Sequence, residues 1–377
     1  MGARTQWGRG MKRRDLIKGI GGGLAVAGIS ACSGADPSGE VKKSAEAKTH
    51  KWTMVTTWPK NFPGVGVGAE RIAKLITQNS GGRITVQVYA SGELVPAMEV
   101  MTAVSDGSAQ MGHGASYYWK GKAPAAQFFA AVPFGMNAQE MNAWLYYGGG
   151  LELWREVYEP FGVLPNPGGN TGTQMGGWFN KEINSLEDLK GLKMRIPGLG
   201  GEILKRAGGI PVLLPGGEIF TALQTGTIDA TEWIGPYNDL AFGLHQAAKY
   251  YYYPGWHEPG TVLECMVNKA AYEELSEDLQ GIVDTAISSV NSEMLAEYTA
   301  RNAEALRSLK AEHNIVPRPY PEDVLKRLKE LREDVLAETI AADPMSARVY
   351  ESFNKFQQDV AAYHDVSERA FYKTRDL

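Results

Sequence analysis

Only two cysteines, Cys32 and Cys265, occur in 377 residues, which excludes a disulfide framework and a cysteine-rich zinc site. The six histidines are scattered, and no pair has metal-ligand spacing. There is no Walker loop, G-x-S-x-G elbow, C-x-x-C or H-E-x-x-H, so the common signatures of nucleotide, acyl-transfer, thiol-redox and metalloprotease chemistry are missing. Positive charge is not in excess either. Lys and Arg number 38 against 43 Asp and Glu, a net charge of −5, which argues against nucleic acid as the main partner. What is present is 44% hydrophobic and 21% charged residues, the profile of a globular protein. This length fits one large domain or two lobes around a sizeable core. Glycine is abundant, with 44 residues, so tight turns and close backbone approaches are expected.

The N-terminus has the anatomy of an export signal. Lys12-Arg13-Arg14 precedes a charge-free stretch from Gly19 to Ala35 with a short apolar segment, Leu24 to Ile29, as in a signal peptide. It is too short and glycine-rich for a transmembrane helix, which needs about 20 apolar residues. The paired arginines resemble a twin-arginine signal, and Ile29-Ser30-Ala31 before Cys32 resembles a lipobox that implies cleavage and lipidation of Cys32. The alternative is an ordinary signal cleaved near Ala31 or Ala35, with Cys32 lost or free. Either Met1 or Met11 can serve as the start. The expected organisation is a signal over 1–31, a flexible tether over 32–50 and a binding domain over 51–377. Cys265 lies in an apolar run and is expected to be a buried thiol.

Periodicity predicts strands at His50–Trp58, Arg83–Tyr89 and Gln110–Ala115. Helices at Gly68–Gln78 and Pro96–Ser105 fall between them, an α/β opening. The pattern recurs with strands at Leu192–Ile196, Ile210–Leu214 and Ile228–Trp233, separated by helices at Gly200–Ala207 and Glu218–Gln224. Thr102–Gln110 aligns with Thr221–Asp229. A duplicated design would make His113–Ser116 equivalent to Glu232–Gly235, both just past strand ends where ligands of open α/β sheets bind. Helices are expected over Ser276–Ala311 and Pro321–Ala341. Apolar residues then recur at helical spacing over 346–376, predicting one long helix of roughly 45 Å. That helix serves either as a strap across both lobes or as a dock on a second subunit.

Three residue types carry possible chemistry. Arg195 stands at a strand end before a glycine-rich turn, where a guanidinium can hold a carboxylate through two parallel hydrogen bonds or form a salt bridge within its own lobe. Glu232 stands at a strand end beside Trp233, and a carboxylate in a cleft needs a cation. Gln174 offers an amide oxygen. Carboxylate, amide oxygen and backbone carbonyl form the hard-oxygen set that suits sodium or calcium. Aromatics crowd Tyr117-Tyr118-Trp119, Trp178-Phe179 and Tyr250 to Trp256. Most of these are core, and Tyr118, His257 and Glu258 are candidate pocket residues.

Leu186-Glu187-Asp188-Leu189-Lys190-Gly191-Leu192-Lys193-Met194-Arg195-Ile196-Pro197-Gly198 resembles the central signature of solute-binding subunits of tripartite ATP-independent periplasmic (TRAP) transporters, the DctP-like family. Gly208 to Val212 and Ala222 to Asp229 are also similar. Gly169 to Phe179, Thr231 to Pro236 and Tyr253 to Gly260 resemble the branch that binds 2-oxo and 2-hydroxy monocarboxylates such as pyruvate and lactate. The resemblance implies a two-lobed periplasmic-binding-protein-like fold (type II-like) with a hinge cleft and long C-terminal helices. Lobe 1 would span about 51–168 and lobe 2 about 169–260, with later segments returning across both. It further implies Arg195 gripping the ligand carboxylate. A sodium or calcium ion would be held by Gln174, the Glu232 carboxylate and the Trp233 carbonyl, with Glu258 as a further ligand. Tyr118, Asn170 and His257 would line the pocket. In this branch the terminal helix is exchanged between subunits of a homodimer, and the loaded protein delivers its solute to membrane permease subunits. The expected mechanism puts Arg195 on one wall of the cleft and Glu232 with its cation on the other, closing around the acid. The rival functions are a ligand-sensing module for a receptor and a metal-dependent lyase or hydrolase of small oxo acids.

Loss of 1–31 would remove six Lys or Arg and one Asp, leaving 32 basic and 42 acidic residues and a charge of −10. Such a protein cannot attract a carboxylate through its overall field. Recognition must be local.

Overall fold

The computed structural model describes residues 48–375 and 377. The signal over 1–31, Cys32 and all of the tether but its last three residues lie outside them. Among the described residues no helix is long and apolar enough to cross a membrane.

Two sheets organise the chain. The first has the order Ile84–Tyr89 (β2), His50–Thr56 (β1), Met111–Gly114 (β3), Val262–Asn268 (β10), Val163–Asn170 (β4). In this sheet β2 and β3 run parallel to β1, while β10 is antiparallel to both β3 and β4. The second sheet has the order Arg318–Pro319 (β11), Tyr250–Tyr253 (β9), Gly177–Phe179 (β5), Ala230–Thr231 (β8), Lys193–Arg195 (β6), Ile210–Val212 (β7). Here β7 and β8 flank β6 in parallel, as β2 and β3 flank β1, and an antiparallel strand follows on β8 as on β3. The two lobes therefore share the same strand–helix–strand core, consistent with a duplicated design. Parallel neighbours need crossovers, which the helices Val65–Asn79 and Gly198–Arg206 supply.

The chain passes between the sheets three times: from β4 to β5 over 171–176, from β9 to β10 over 254–261, and from the helix Glu277–Ala311 to β11 over 312–317. That 35-residue helix packs on β4 and on the helix Val65–Asn79. The helix Glu322–Ala342 then lies on Gly198–Arg206 of the second lobe, and Arg332 Nε donates to Pro133 O of the first at 2.7 Å.

Two expectations are corrected. The C-terminal region is not a single helix but two, Pro344–Val366 and Glu368–Arg375, separated at Ser367. Ser367 Oγ hydrogen-bonds to Tyr363 O and Glu368 Oε2, the local competition by which serine ends helices. The first of these helices docks on the first lobe of its own chain. Phe353 is fully buried with its ring edge-on to Trp144 at 5.3 Å, and Trp144 Nε1 donates to Ser352 Oγ. The strand expected over Ile228–Trp233 is confined to Ala230–Thr231, with Glu232 N still donating to Arg195 O at 3.2 Å just past its end. Cys265 is a fully buried free thiol whose pKa burial pushes up.

Phe353→Ala should cost about 3–5 kcal/mol, the range for emptying a buried aromatic site. The check is a urea titration. An unchanged midpoint would show that the helix contributes no stability to the lobe it covers.

Candidate functional site

The site forms where the ends of the second sheet meet the chain crossings. Arg195 is the last residue of β6 and Glu232 directly follows β8. Arg195 is registered with Thr231 across these parallel neighbours, so both side chains emerge at the carboxyl ends of the strands. Arg195 Nη1 pairs with Glu232 Oε1, Nε donates to Leu214 O at 3.2 Å, and Nη2 donates to the Tyr118 hydroxyl at 3.2 Å. The Trp233 ring lies 5.2 Å from the guanidinium carbon. Arg195 and Glu232 are both 1% exposed.

This overturns the expected division of the site between opposing walls. Arg195 and Glu232 share a wall because β6 and β8 are adjacent and parallel. What reaches across from the first lobe is Tyr118, on the turn Ser116–Trp119 after β3. Both sequence-level possibilities for Arg195 remain compatible with this arrangement. Three of its five N–H groups are engaged, leaving one on each terminal nitrogen for a carboxylate. Burial opposes its charge most strongly, but Glu232, then Tyr118, Tyr117 and Glu258, hold its pKa raised.

The crossings supply the remaining groups. Gln174, from the 171–176 crossing, has its amide nitrogen 2.8 Å from Glu258 Oε2, 3.1 Å from Thr261 Oγ1 and 3.2 Å from Thr171 Oγ1. Thr261 Oγ1 donates to Glu258 Oε2 at 2.6 Å. This network turns Gln174 Oε1 the other way, where it is buried with no partner, as is Glu232 Oε2. His257 Nε2 lies 3.5 Å from Glu232 Oε2, and neither ring nitrogen has a hydrogen-bond partner. Among the described residues, Glu232, His257 and Glu258 bring candidate ligand atoms within 4.8 Å of one another. Burial first, then the Glu232 charge, pushes Glu258 up to about 8, against Thr261, Arg195 and Gln174. Two buried carboxylates with one arginine are short of one positive charge. Two orphaned hard oxygens beside them fit a cation such as sodium or calcium.

Asn170 behaves differently. Its Oδ1 accepts from Gly172 N at 2.8 Å and its Nδ2 donates to Gly260 O at 3.4 Å, so its amide ties two crossings together. His113, the duplication counterpart of Glu232, is structural. It accepts from Trp58 Nε1 at 2.7 Å and contacts Gly168 O at 3.1 Å, and burial lowers its pKa to about 4. Sequence reasoning did not single out Thr171, Thr261, Tyr117 or the Leu214 carbonyl, although Thr171 lies within the Gly169–Phe179 signature and Tyr117 within an aromatic cluster. A crevice of about 180 Å³ lined by Tyr117, Tyr118, Ile196, Pro197 and Leu213 opens beside the site. A larger cavity of about 520 Å³ lies between the helix Val65–Asn79 and β2, away from these residues.

The profile of the bacterial extracellular solute-binding protein family 7 matches residues 54–343. A monocarboxylate 2-oxoacid-binding periplasmic protein of Nostoc sp. is 42% identical over 96% of this chain and 98% of its own length. Among solved structures, a TRAP periplasmic solute-binding protein of Colwellia psychrerythraea with bound calcium and pyruvate is 45% identical with a TM-score of 0.84, covering 87% of this chain and 100% of that one. One from Pseudoalteromonas atlantica with bound sodium and pyruvate is 44% identical with a TM-score of 0.84, covering 86% and 99%. One from Bordetella bronchiseptica, a mixed-occupancy dimer with calcium and picolinate in its bound site, is 38% identical with a TM-score of 0.85, covering 87% and 97%. The chain belongs to this family and is a periplasmic solute-binding protein of the TRAP class, with the fold the resemblance implied.

Outside the site, Glu264 on β10 accepts from Trp119 Nε1 and from the Tyr158 hydroxyl, and burial pushes it up to about 7. A carboxyl raised in the native state contributes stability that is fully present below the unfolded value of 4.5 and lost as pH rises through 7. Glu264→Gln should therefore lose about 3 kcal/mol less than the wild type between pH 4.5 and 8, read from urea titrations across that window. Parallel pH profiles would show that Glu264 does not titrate there.

Proposed function

We propose that this protein captures a 2-oxo or 2-hydroxy monocarboxylate of the pyruvate or lactate kind, together with a sodium or calcium ion, and delivers it to TRAP permease subunits without making or breaking a bond. The observation that carries the reading is the pair of buried, unpartnered oxygens, Gln174 Oε1 and Glu232 Oε2, next to an arginine with N–H groups to spare. In this reading the cation is held by Gln174, Glu232 and the Trp233 carbonyl, with Glu258 as a further ligand. Arg195 takes the solute carboxylate, and Tyr118, Asn170 and His257 border it. A 2-oxo acid has adjacent carboxylate and keto oxygens, so it can chelate the ion while pairing with Arg195. Water exclusion on closure strengthens each charge contact. The calcium- and sodium-bound pyruvate complexes of the Colwellia and Pseudoalteromonas proteins support the same pairing of ion and acid.

The proposal includes export by a twin-arginine signal over 1–31, anchoring through lipid on Cys32, and a hinge between lobes at about 51–168 and 169–260. It also includes a homodimer built through 346–376. Exposed Tyr363, Val366, Phe371 and Tyr372 at the distal end of that region support the dimer, as does the dimeric Bordetella relative.

Arg195→Ala should weaken pyruvate binding by about 30-fold or more, since truncating one partner of a buried charge pair costs about 2–5 kcal/mol. Arg195→Lys keeps the charge and should lose the paired hydrogen bonds. Calorimetry on both, with circular dichroism to verify folding, decides the role, and wild-type affinity in the lysine variant would exclude the bidentate grip. Dialysis against EGTA in sodium-free buffer should weaken pyruvate binding at least about tenfold, with calcium restoring it; an unchanged titration would remove the cation. Deleting 346–377 should give monomers by light scattering, and a persistent dimer would exclude that interface.

A further inference from the structure

Phe134 has φ = 54°. A bulky residue in the left-handed region is a true outlier, and such strain persists only when the surroundings over-determine it. Three different parts of the chain hold it. Its N–H donates to Trp256 O at 2.8 Å, and its ring stacks on Trp256 with centroids 5.7 Å apart and planes at 27°. Its carbonyl accepts from Gln357 Nε2 of the helix Pro344–Val366 at 3.4 Å. The preceding Pro133 carbonyl accepts from Arg332 of the helix Glu322–Ala342 at 2.7 Å.

Trp256 immediately precedes His257 and Glu258 in the crossing over 254–261. Two glycines let that crossing pack directly against other backbone. A Cβ on Gly260 would come within 2.3 Å of the Asn137 backbone, and one on Gly255 within 2.3 Å of the Gln174 backbone. The loop at Phe134 thus braces the crossing from one side and is itself clamped by both C-terminal helices from the other.

We propose that Phe134 and Trp256 are positioning residues that seat His257 and Glu258 in the site and couple solute binding to the packing of the C-terminal helices. The inference rests on the assignment of those two residues to the solute and cation site. In this proposal the crossing acts as a hinge, and its dihedrals change when the lobes part. The Phe134 ring then loses its seat on Trp256, and the loop relaxes against Arg332 and Gln357. Solute binding stabilises the braced arrangement, and by reciprocity the helices favour the bound state.

The test is hydrogen exchange with mass spectrometry on the full chain, with and without pyruvate plus calcium, in wild type, Phe134→Asn and Phe134→Tyr. Asparagine tolerates positive φ and keeps the N–H bond to Trp256 O, removing only the stack. Adding pyruvate and calcium should slow exchange over Met345–Val360 in the wild type. In Phe134→Asn that response should disappear and the pyruvate Kd rise about five- to tenfold, with the urea midpoint retained. Phe134→Tyr should restore both. A wild-type helix indifferent to the solute, or a Phe134→Asn variant with wild-type affinity and response, overturns the inference. Should the wild type bind no pyruvate, the reading of the site fails separately, and exchange of Trp256–Gly260 without solute decides this one. Faster exchange in Phe134→Asn supports the brace, and equal exchange refutes it.

Discussion

The pairing of Arg195 with Glu232 is the constraint around which the site is arranged. Both side chains are removed from water, and desolvating two ions costs several kcal/mol each before their attraction offsets it. Such a pair persists only with excellent geometry and further hydrogen bonds. The structure supplies these through the Leu214 carbonyl and the Tyr118 hydroxyl. The Trp233 ring beside the guanidinium completes the enclosure. A hydrophobic pair of the same volume would hold the lobe together as well. A charged pair with unused N–H groups and an unpartnered carboxylate oxygen has further capacity to bind.

The second layer of the site comes from the crossings rather than from either sheet. Gln174, Glu258 and Thr261 lie on two segments that pass between the lobes, and their hydrogen bonds close a ring across both. Groups placed there experience any relative motion of the lobes directly. The amide of Asn170, consumed in tying the same segments together, makes those crossings mechanically one piece. A cation held by Gln174 and Glu232 would connect that piece to the second sheet. Solute binding and lobe closure would then draw on the same interactions.

The acidity of the chain gives this arrangement its logic. A net charge of −5 gives a carboxylate no long-range attraction. One buried arginine, and the cation proposed beside it, would act within a few ångströms, where the low-dielectric surroundings strengthen each contact. Burial first, and then the nearby Glu232 charge, raises the pKa of Glu258. Membership of the family 7 solute-binding proteins fits a device built to bind its solute.

Much of the fold was legible from the order of residues alone. The strands and helices of the two parallel cores follow from short-range periodicity and from glycines such as Gly107 and Gly226, both at positive φ, that end helices, whereas β4, β5, β9, β10 and the helices Ala138–Tyr147 and Gly150–Tyr158 were not among those expected. The same local signals exposed Arg195 and Glu232, because a lone charge at a strand end stands out against apolar neighbours. Family signatures added Gln174, Trp233 and the aromatic crossing. None of this determined who meets whom. Arg195 and Glu232 are 37 residues apart, Arg195 and Tyr118 are 77, and Gln174 and Glu258 are 84. Their contacts depend on strand order and register, which spacing does not encode. The tertiary structure therefore decided that the two charges share one wall, that Thr171 and Thr261 orient the amide, and that Ser367 breaks the last helix. It also decided that Phe134, unremarked in the sequence, stands strained against the hinge. Short-range sterics and hydrophobic period determine elements; only the packed chain brings distant polar groups into a place without water, where their charges must be answered.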